Sequence, residues 1–456
     1  MIRKLSILFA GALLGATAMT AFVGPHSGVA NAAGSDTYRQ LAIFGDVFER
    51  VRSQYVDVPD DQKLIETAIN GMLTSLDPHS SYMNAKEAAD MRTETRGEFG
   101  GLGIEVTMEN ELVKVISPFE GTPADKAGVL AGDLIAEING EQVRGLNLAQ
   151  AVEKMKGEIG TKVELTIVRE GATQPVRLTL ERAEIKVPSV RHTVENDVGY
   201  IKLLRFNEQT TTGLEESIKD IKAKVPDDKL KGYVLDLRRN PGGLLDEAVS
   251  VSDAFLNSGE IVSTRGRNAE ETRRYNARPG DDVGGKPVIV LVNGGSASAS
   301  EIVAGALQDQ RRATVLGTRS FGKGSVQTII PLGANGALRL TTALYYTPSG
   351  SSIQGRGIRP DIVVEQPLPE EIKAQMGLGA DEDLKMGESS LRGHIQGAEE
   401  DKEGSGSLDY VPPETKDDIQ LQTALELLRG TKTDAAFPPK QDSAAVPKQN
   451  AAAVAN

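Results

Sequence analysis

Three short stretches of the 456-residue chain carry residue types that do chemistry. The run NGGSASASE, residues 293–301, follows the apolar segment VIVLV and opens a helical pattern over 302–308. A serine at such a helix start meets unpaired N–H groups and the positive end of the helix dipole, both of which favour a developing negative charge. Ser296, Ser298 and Ser300 are equivalent on these grounds, and a small-residue cap with no catalytic role fits them as well. The stretch SFGKGSVQ, residues 320–327, sets Lys323 between two glycines with Gln327 four residues on. A serine hydroxyl needs a base, and His192 is the only histidine between residues 184 and 365. Burial disfavours an ammonium, so a buried lysine is available as a neutral base, and a glutamine amide can hold it without adding charge. The third stretch, LDLRRNPGGL at 235–244, again reads as strand, glycine turn and helix. It puts the N–H groups of Gly242 and Gly243 at strand ends, where α/β sheets place their sites. No stretch matches the G-x-x-x-x-G-K-[ST] phosphate loop, and the serine run is not a G-x-S-x-G elbow.

Composition narrows the chemistry further. Lys+Arg 51 against Asp+Glu 64 leaves a net charge of −13, which argues against a nucleic-acid partner. With no cysteine, disulfides, thiolate zinc sites and cysteine nucleophiles are excluded, and four histidines leave little for an imidazole metal site. No metal and no cofactor are expected.

The elements that must position these stretches follow from periodicity. Arg3 and Lys4, the uncharged apolar residues 5–23 and the A-x-A sequence Ala30-Asn31-Ala32 predict a signal peptide over 1–32. The chain is then expected to be exported to the periplasm, soluble if the segment is cut and membrane-associated if it is retained. Residues 33–96 read as a helical region: Leu41, Phe44, Phe48, Val51 and Tyr55 form one apolar stripe, a second helix ends at Asp77-Pro78, and Asn84 caps a third. From 97 to 182 come short strands at 112–116, 134–138, 163–168 and 176–180, an Asn139-Gly140 turn and a helix at 148–156. Residues 183–365 alternate buried strands and helices. Beyond 366 lie 17 Asp and Glu against 9 Lys and Arg, predicting an acidic low-complexity tail with one helix at 417–429.

Taken together and in this order, LDLRRNPGG (235–243), NGGSASASE (293–301) and FGKGSVQ (321–327) closely resemble the carboxy-terminal processing (tail-specific) proteases, a Ser/Lys serine peptidase family with a PDZ domain. The resemblance covers roughly residues 36–365 and the C-terminal helix; the acidic stretch at about 376–410 has no counterpart in it. It implies Ser298 as nucleophile, Lys323 as general base 25 residues on, and Gln327 as the residue orienting the lysine. It also implies an oxyanion hole from the N–H groups of Ala299 and Gly243, with Gly242 as the alternative. The module at 97–182 becomes a PDZ domain, in which Gly101, Leu102, Gly103 and Ile104 receive a terminal carboxylate and Val152 and Met155 line the side-chain pocket. The implied architecture is α+β and multidomain. It comprises a helical N-terminal arm, the β-rich PDZ module, an α/β core of the crotonase/Clp-protease-like type and a mostly disordered tail. The implied activity is ATP-independent serine endopeptidase, cleaving C-terminal regions of exported proteins. Its partners would be substrate tails and further copies of the chain in a homodimer or higher homo-oligomer, with room for an adaptor protein. The rival expectation is a catalytically inactive PDZ-type peptide-binding scaffold.

Overall fold

The computed structural model describes residues 27–376, 386–398, 400 and 404–440, so the apolar stretch 5–23 lies outside the described residues. Two compact units divide at Gly71 and Met72. The first holds helix α1 (Ser27–Gln54) and most of α2 (Asp61–Thr74). Its apolar stripe is open, with Leu41, Phe44, Val47 and Val51 all exposed. The A-x-A sequence at 30–32 falls within α1. Among the described residues, no helix is long and apolar enough to cross a membrane.

In the second unit, strand β1 (Ser81–Met83) precedes α3 (Ala85–Arg96), which Asn84 caps as expected. Asn84 Oδ1 accepts from Glu87 N–H at 3.0 Å, and the Glu87 carboxylate accepts from Asn84 N–H at 2.9 Å. The PDZ module then runs β2 (Glu98–Gly101), β3 (Ile104–Glu109), β4 (Leu112–Pro118), β5 (Leu134–Ile138), β6 (Glu141–Gln142), α4 (Leu148–Met155), β7 (Lys162–Val168) and β8 (Val176–Glu181). Its antiparallel sheet has the order β3-β4-β5-β7-β8, which leaves β3 at an edge. Alternate residues Val113, Val115, Ile135, Ile138, Leu165 and Ile167 fill one core. Strand β9 (Ala183–Lys186) returns to pair with β2.

The larger domain is built on β10 (Val190–Glu195), β11 (Val198–Leu203), α5 (Thr210–Lys224), β12 (Gly232–Asp236), α6 (Leu245–Asp253), β13 (Glu260–Gly266), β14 (Arg273–Asn276), β15 (Val288–Val292), α7 (Ala299–Asp309), β16 (Thr314–Gly317), β17 (Ser325–Pro331), β18 (Ala337–Tyr346) and β19 (Ile362–Val363). One sheet has the order β10-β11-β12-β15-β16-β19 and is parallel from β11 onward. Both its faces are covered, which is why β12 and β15 are continuous apolar runs. Leu235, Val290 and Val292 pack with α5, α6 and α7, whereas Val234, Ile289, Leu291 and Leu316 pack with Leu421, Ala424, Leu425 and Leu428 of helix α8 (Ile419–Arg429). A second, antiparallel sheet gathers β1, β13 and β17 around the ten-residue β18. The three sequence stretches all leave the carboxyl ends of parallel strands: β12, β15 and β16.

The tail departs from expectation over its described residues. The tail is acidic as expected, but residues 386–398 and 404–440 are ordered, with Glu388 and Ser405 buried, and the expected helix packs its leucines on one face of the parallel sheet. The acidic character misleads because key carboxylates are consumed as buried acceptors. Arg238 is fully buried, reaching Asp236 and Asp418 at 2.7 Å each and Gln420 at 3.0 Å. Burial alone would raise the Asp236 pKa, but the Arg238 guanidinium holds it below the usual carboxylate value. Asp418 also caps α8, accepting from Leu421 N–H at 2.9 Å. Asp418→Ala would leave a buried guanidinium half-neutralised and is expected to cost about 3–5 kcal/mol, measured by chemical denaturation of the full chain. A loss comparable with that of a surface carboxylate would contradict this packing.

Candidate active site

The serine run turns sharply between β15 and α7. Ser298 has φ +55° and ψ −111°, a strained backbone for a residue with a side chain. The turn is possible because Gly242 faces it: a Cβ there would lie 2.7 Å from Ala297 O and 2.9 Å from Ser298 Cβ. The three serines that residue chemistry alone left equivalent differ sharply in place. Ser296 Oγ donates to Leu237 O at 2.9 Å and Ser300 Oγ to Asn240 O at 2.9 Å, and both residues have no exposure. These two hydroxyls pin the serine run to the loop after β12. The Ser298 hydroxyl donates to no described group, and its residue keeps 8% exposure.

The two backbone donors beside Ser298 sort in the same way. Gly242 N–H is already committed to Asn240 Oδ1 at 2.9 Å. Among the described residues, nothing accepts from the N–H of Ala299 or of Gly243. Of the two glycine alternatives, Gly243 is therefore the one with a donor to offer.

Lys323 is half-buried, and its side-chain amine has no hydrogen-bond or ion-pair partner among the described residues. Burial, then the charge of Arg339, pushes its pKa below the ordinary lysine value, against opposing pulls from Glu388, Glu301 and Asp77. No hydrogen bond joins Lys323 Nζ to Ser298 Oγ. Gln327 does not touch the lysine amine either: its amide donates to Ser325 Oγ at 3.0 Å and Thr341 Oγ1 at 3.2 Å. Thr341 in turn donates to Asp77, whose carboxylate also accepts from His79 N–H and Ser80. In this arrangement Gln327 thus belongs to a network tying β17 and β18 to the Asp77 turn.

Glu301 was not singled out from sequence. Its carboxylate is fully buried and accepts from Ser298 N–H at 2.7 Å, Ser320 Oγ at 2.6 Å, Gly322 N–H at 2.6 Å and Lys323 N–H at 2.9 Å. Burial pushes its pKa up to about 7. The signal that could have found it is its spacing, three residues after a helix-capping serine.

In the PDZ module, the N–H groups of Leu102 and Gly103 are donated to nothing among the described residues, and the edge of β3 starting at Ile104 is open. Gly101 ends β2, paired with Ala183. Val152 is half-buried between helix and sheet. Met155 is 4% exposed and Leu102 2%, and both side chains pack in the module's core.

Comparison with known proteins gives a family model described as Peptidase family S41 over residues 197–364, a PDZ domain over 100–180, and an activating protease CtpB N-terminal domain over 19–87. A carboxy-terminal-processing protease of Bartonella bacilliformis is 62% identical over 439 residues, covering 96% of this chain and 99% of the relative. The carboxy-terminal processing protease CtpA of Bacillus subtilis is 34% identical over 385 residues, covering 82% of this chain and 79% of that one. Among solved structures, a photosystem II D1 C-terminal processing protease is 30% identical and covers 75% of this chain and 97% of its own, with a TM-score of 0.41.

A depressed lysine pKa has a stability consequence of definite sign. Between the folded value and the ordinary 10.5, the unfolded chain binds more protons than the folded one, so this group's contribution to stability rises with pH. Lys323→Met is expected to melt above the parent protein at neutral pH, with the gap narrowing as pH rises toward 10. A gap independent of pH would contradict a perturbed lysine.

Proposed function

Because the chain belongs to the carboxy-terminal-processing serine proteases of peptidase family S41, with a PDZ domain, we propose that it is an ATP-independent endopeptidase of exported proteins that works with a Ser298–Lys323 dyad. The observation that carries this reading is the sorting of the serines: two hydroxyls are spent on backbone carbonyls, and the one left over sits on a strained turn beside two undonated N–H groups. Neutral Lys323 takes the Ser298 proton as Oγ attacks the scissile carbonyl, and the oxyanion forms against the N–H groups of Ala299 and Gly243. The protonated amine then gives its proton to the leaving amine, and water, deprotonated by the lysine, releases the acyl group. Nζ must swing onto Oγ for the first step; catalytic hydrogen bonds often tighten only when substrate is bound. Gln327 orients the amine in that state if its amide leaves Ser325 and Thr341. No cofactor enters the scheme.

The PDZ module captures the substrate's C-terminal carboxylate on the N–H groups of Leu102 and Gly103, with the tail pairing along β3 beside Val152. The open stripe of α1 suits a homodimer or higher oligomer, and an adaptor protein could use the same module. Residues 1–32 direct the chain to the periplasm. A silent PDZ scaffold would also lack the Ser298–Lys323 hydrogen bond, and turnover of an unfolded substrate by the pure protein separates the two readings.

Ser298→Ala is expected to lower kcat on the order of 10⁴- to 10⁶-fold with unchanged melting, whereas Ser296→Ala and Ser300→Ala retain measurable turnover. Lys323→Arg is expected to be inactive although the charge stays, because a guanidinium cannot act as the base. Substantial turnover by folded Ser298→Ala or Lys323→Arg would sink the dyad. For the PDZ module, amidating the C-terminus of a peptide substrate removes the charged acceptor and is expected to raise KM several-fold. Equal kinetics for acid and amide would remove tail capture.

A further inference from the structure

The tail residues 386–398 and 404–409 lie against both loops of the site. On the lysine side, Glu388 N–H donates to Phe321 O at 2.8 Å, Gly406 N–H to Ser320 O at 2.9 Å and Ser407 Oγ to Arg319 O at 2.8 Å. On the serine side, Gly294 N–H donates to Leu408 O at 3.3 Å. A Cβ on Gly294 would lie 1.7 Å from Ser407 O, so only glycine admits the segment there. The fully buried Glu388 carboxylate anchors the near end, hydrogen-bonded to His79 Nε2 at 2.8 Å and Gln354 Nε2 at 2.9 Å. Gln354 Oε1 then accepts from Gly324 N–H at 2.9 Å, next to Lys323.

A cleft of about 550 Å³ is bounded by this segment, and Pro241, Ala297, Phe321, Lys323, Met386 and Leu408 are among its lining residues. Met386 is 60% exposed and Leu408 half-buried, so both present apolar surface to what enters. We propose that Met386 and Leu408 form a specificity wall that contacts the substrate side chain next to the scissile bond and limits its size. This rests on the dyad reading, since the cleft holds the base and Ala297, the neighbour of the nucleophile. The same cleft is lined by Arg239, Ser407 and Asp409 as well, so its apolar surface is concentrated on Pro241, Phe321, Met386 and Leu408. The hydrogen bonds on both sides fix the backbone of these tail residues, so on this side of the cleft the space left to the substrate depends on the Met386 and Leu408 side chains.

The test uses the full chain and an unfolded protein substrate, with cut sites read by mass spectrometry. Peptides that differ only in the residue before a mapped cut, Ala or Phe, then give the ratio of kcat/KM values. Leu408→Ala and Met386→Ala are expected to shift this ratio toward Phe by at least about 10-fold, the lower end of what one methylene is worth in an apolar pocket. Leu408→Phe is expected to shift it toward Ala. Ratios unchanged in all three variants would overturn the wall. Ser298→Ala is run in parallel: cleavage persisting there would overturn the dyad, while the ratios still judge the wall. Neither position is fully buried, so matched melting temperatures serve as the folding control.

Discussion

The carboxylate of Glu301 lies without solvent exposure between the serine turn and the lysine loop, and every other feature of the site is placed relative to it. Three backbone N–H groups and one hydroxyl converge on its two oxygens. Each donor would cost roughly 1–3 kcal/mol if left buried and unpaired, so the carboxylate stabilises two loops that otherwise carry orphaned groups. Because Glu301 takes the N–H of Ser298, that of Ala299 is the next one free to face a developing oxyanion. Its folded pKa of about 7 lies above the ordinary 4.5, so the folded state binds more protons across that window. The contribution of this group to stability is therefore full below 4.5 and is lost as pH rises through 7. The site is held together by an acceptor that is itself costly to ionise.

Around that fixed point the two loops divide their labour. The serine turn is tied to the loop after β12 by Ser296 and Ser300, and Gly242 lets the strained Ser298 approach. The lysine loop is tied on its outer side to the tail through Ser320, Phe321 and the Gln354–Glu388 pair. Behind both, Arg238 joins the end of β12 to the cap of α8. The tail thus closes the sheet on one face and walls the cleft on the other.

Much of this was legible in the chain. Continuous apolar runs located β12 and β15, glycine-rich stretches after them located the site, and the capping pattern at Asn84 located α3. Residue chemistry alone could not rank the three serines, which only the family resemblance separated, because their difference lies in which carbonyl each hydroxyl reaches. The tail was misread for a related reason. Glu388 and Asp418 look like members of a solvated acidic run until His79, Gln354 and Arg238, which lie far away in sequence, are brought to them. Strand β1 was missed because three residues carry no period, and it forms only because β18 is long enough to offer it an edge. The hydrogen bonds of Gln327 and the burial of Met155 depend on Thr341 and on the PDZ core, which no local spacing encodes.

Activation of Ser298 by a neutral lysine is tested most directly by the pH dependence of covalent labelling of Ser298 with a small fluorophosphonate, followed by intact mass. The labelling rate is expected to rise through one ionisation well below the ordinary lysine value of 10.5 and to be lost in Lys323→Met. A rate that is flat with pH, or equal in Lys323→Met, would contradict a lysine base.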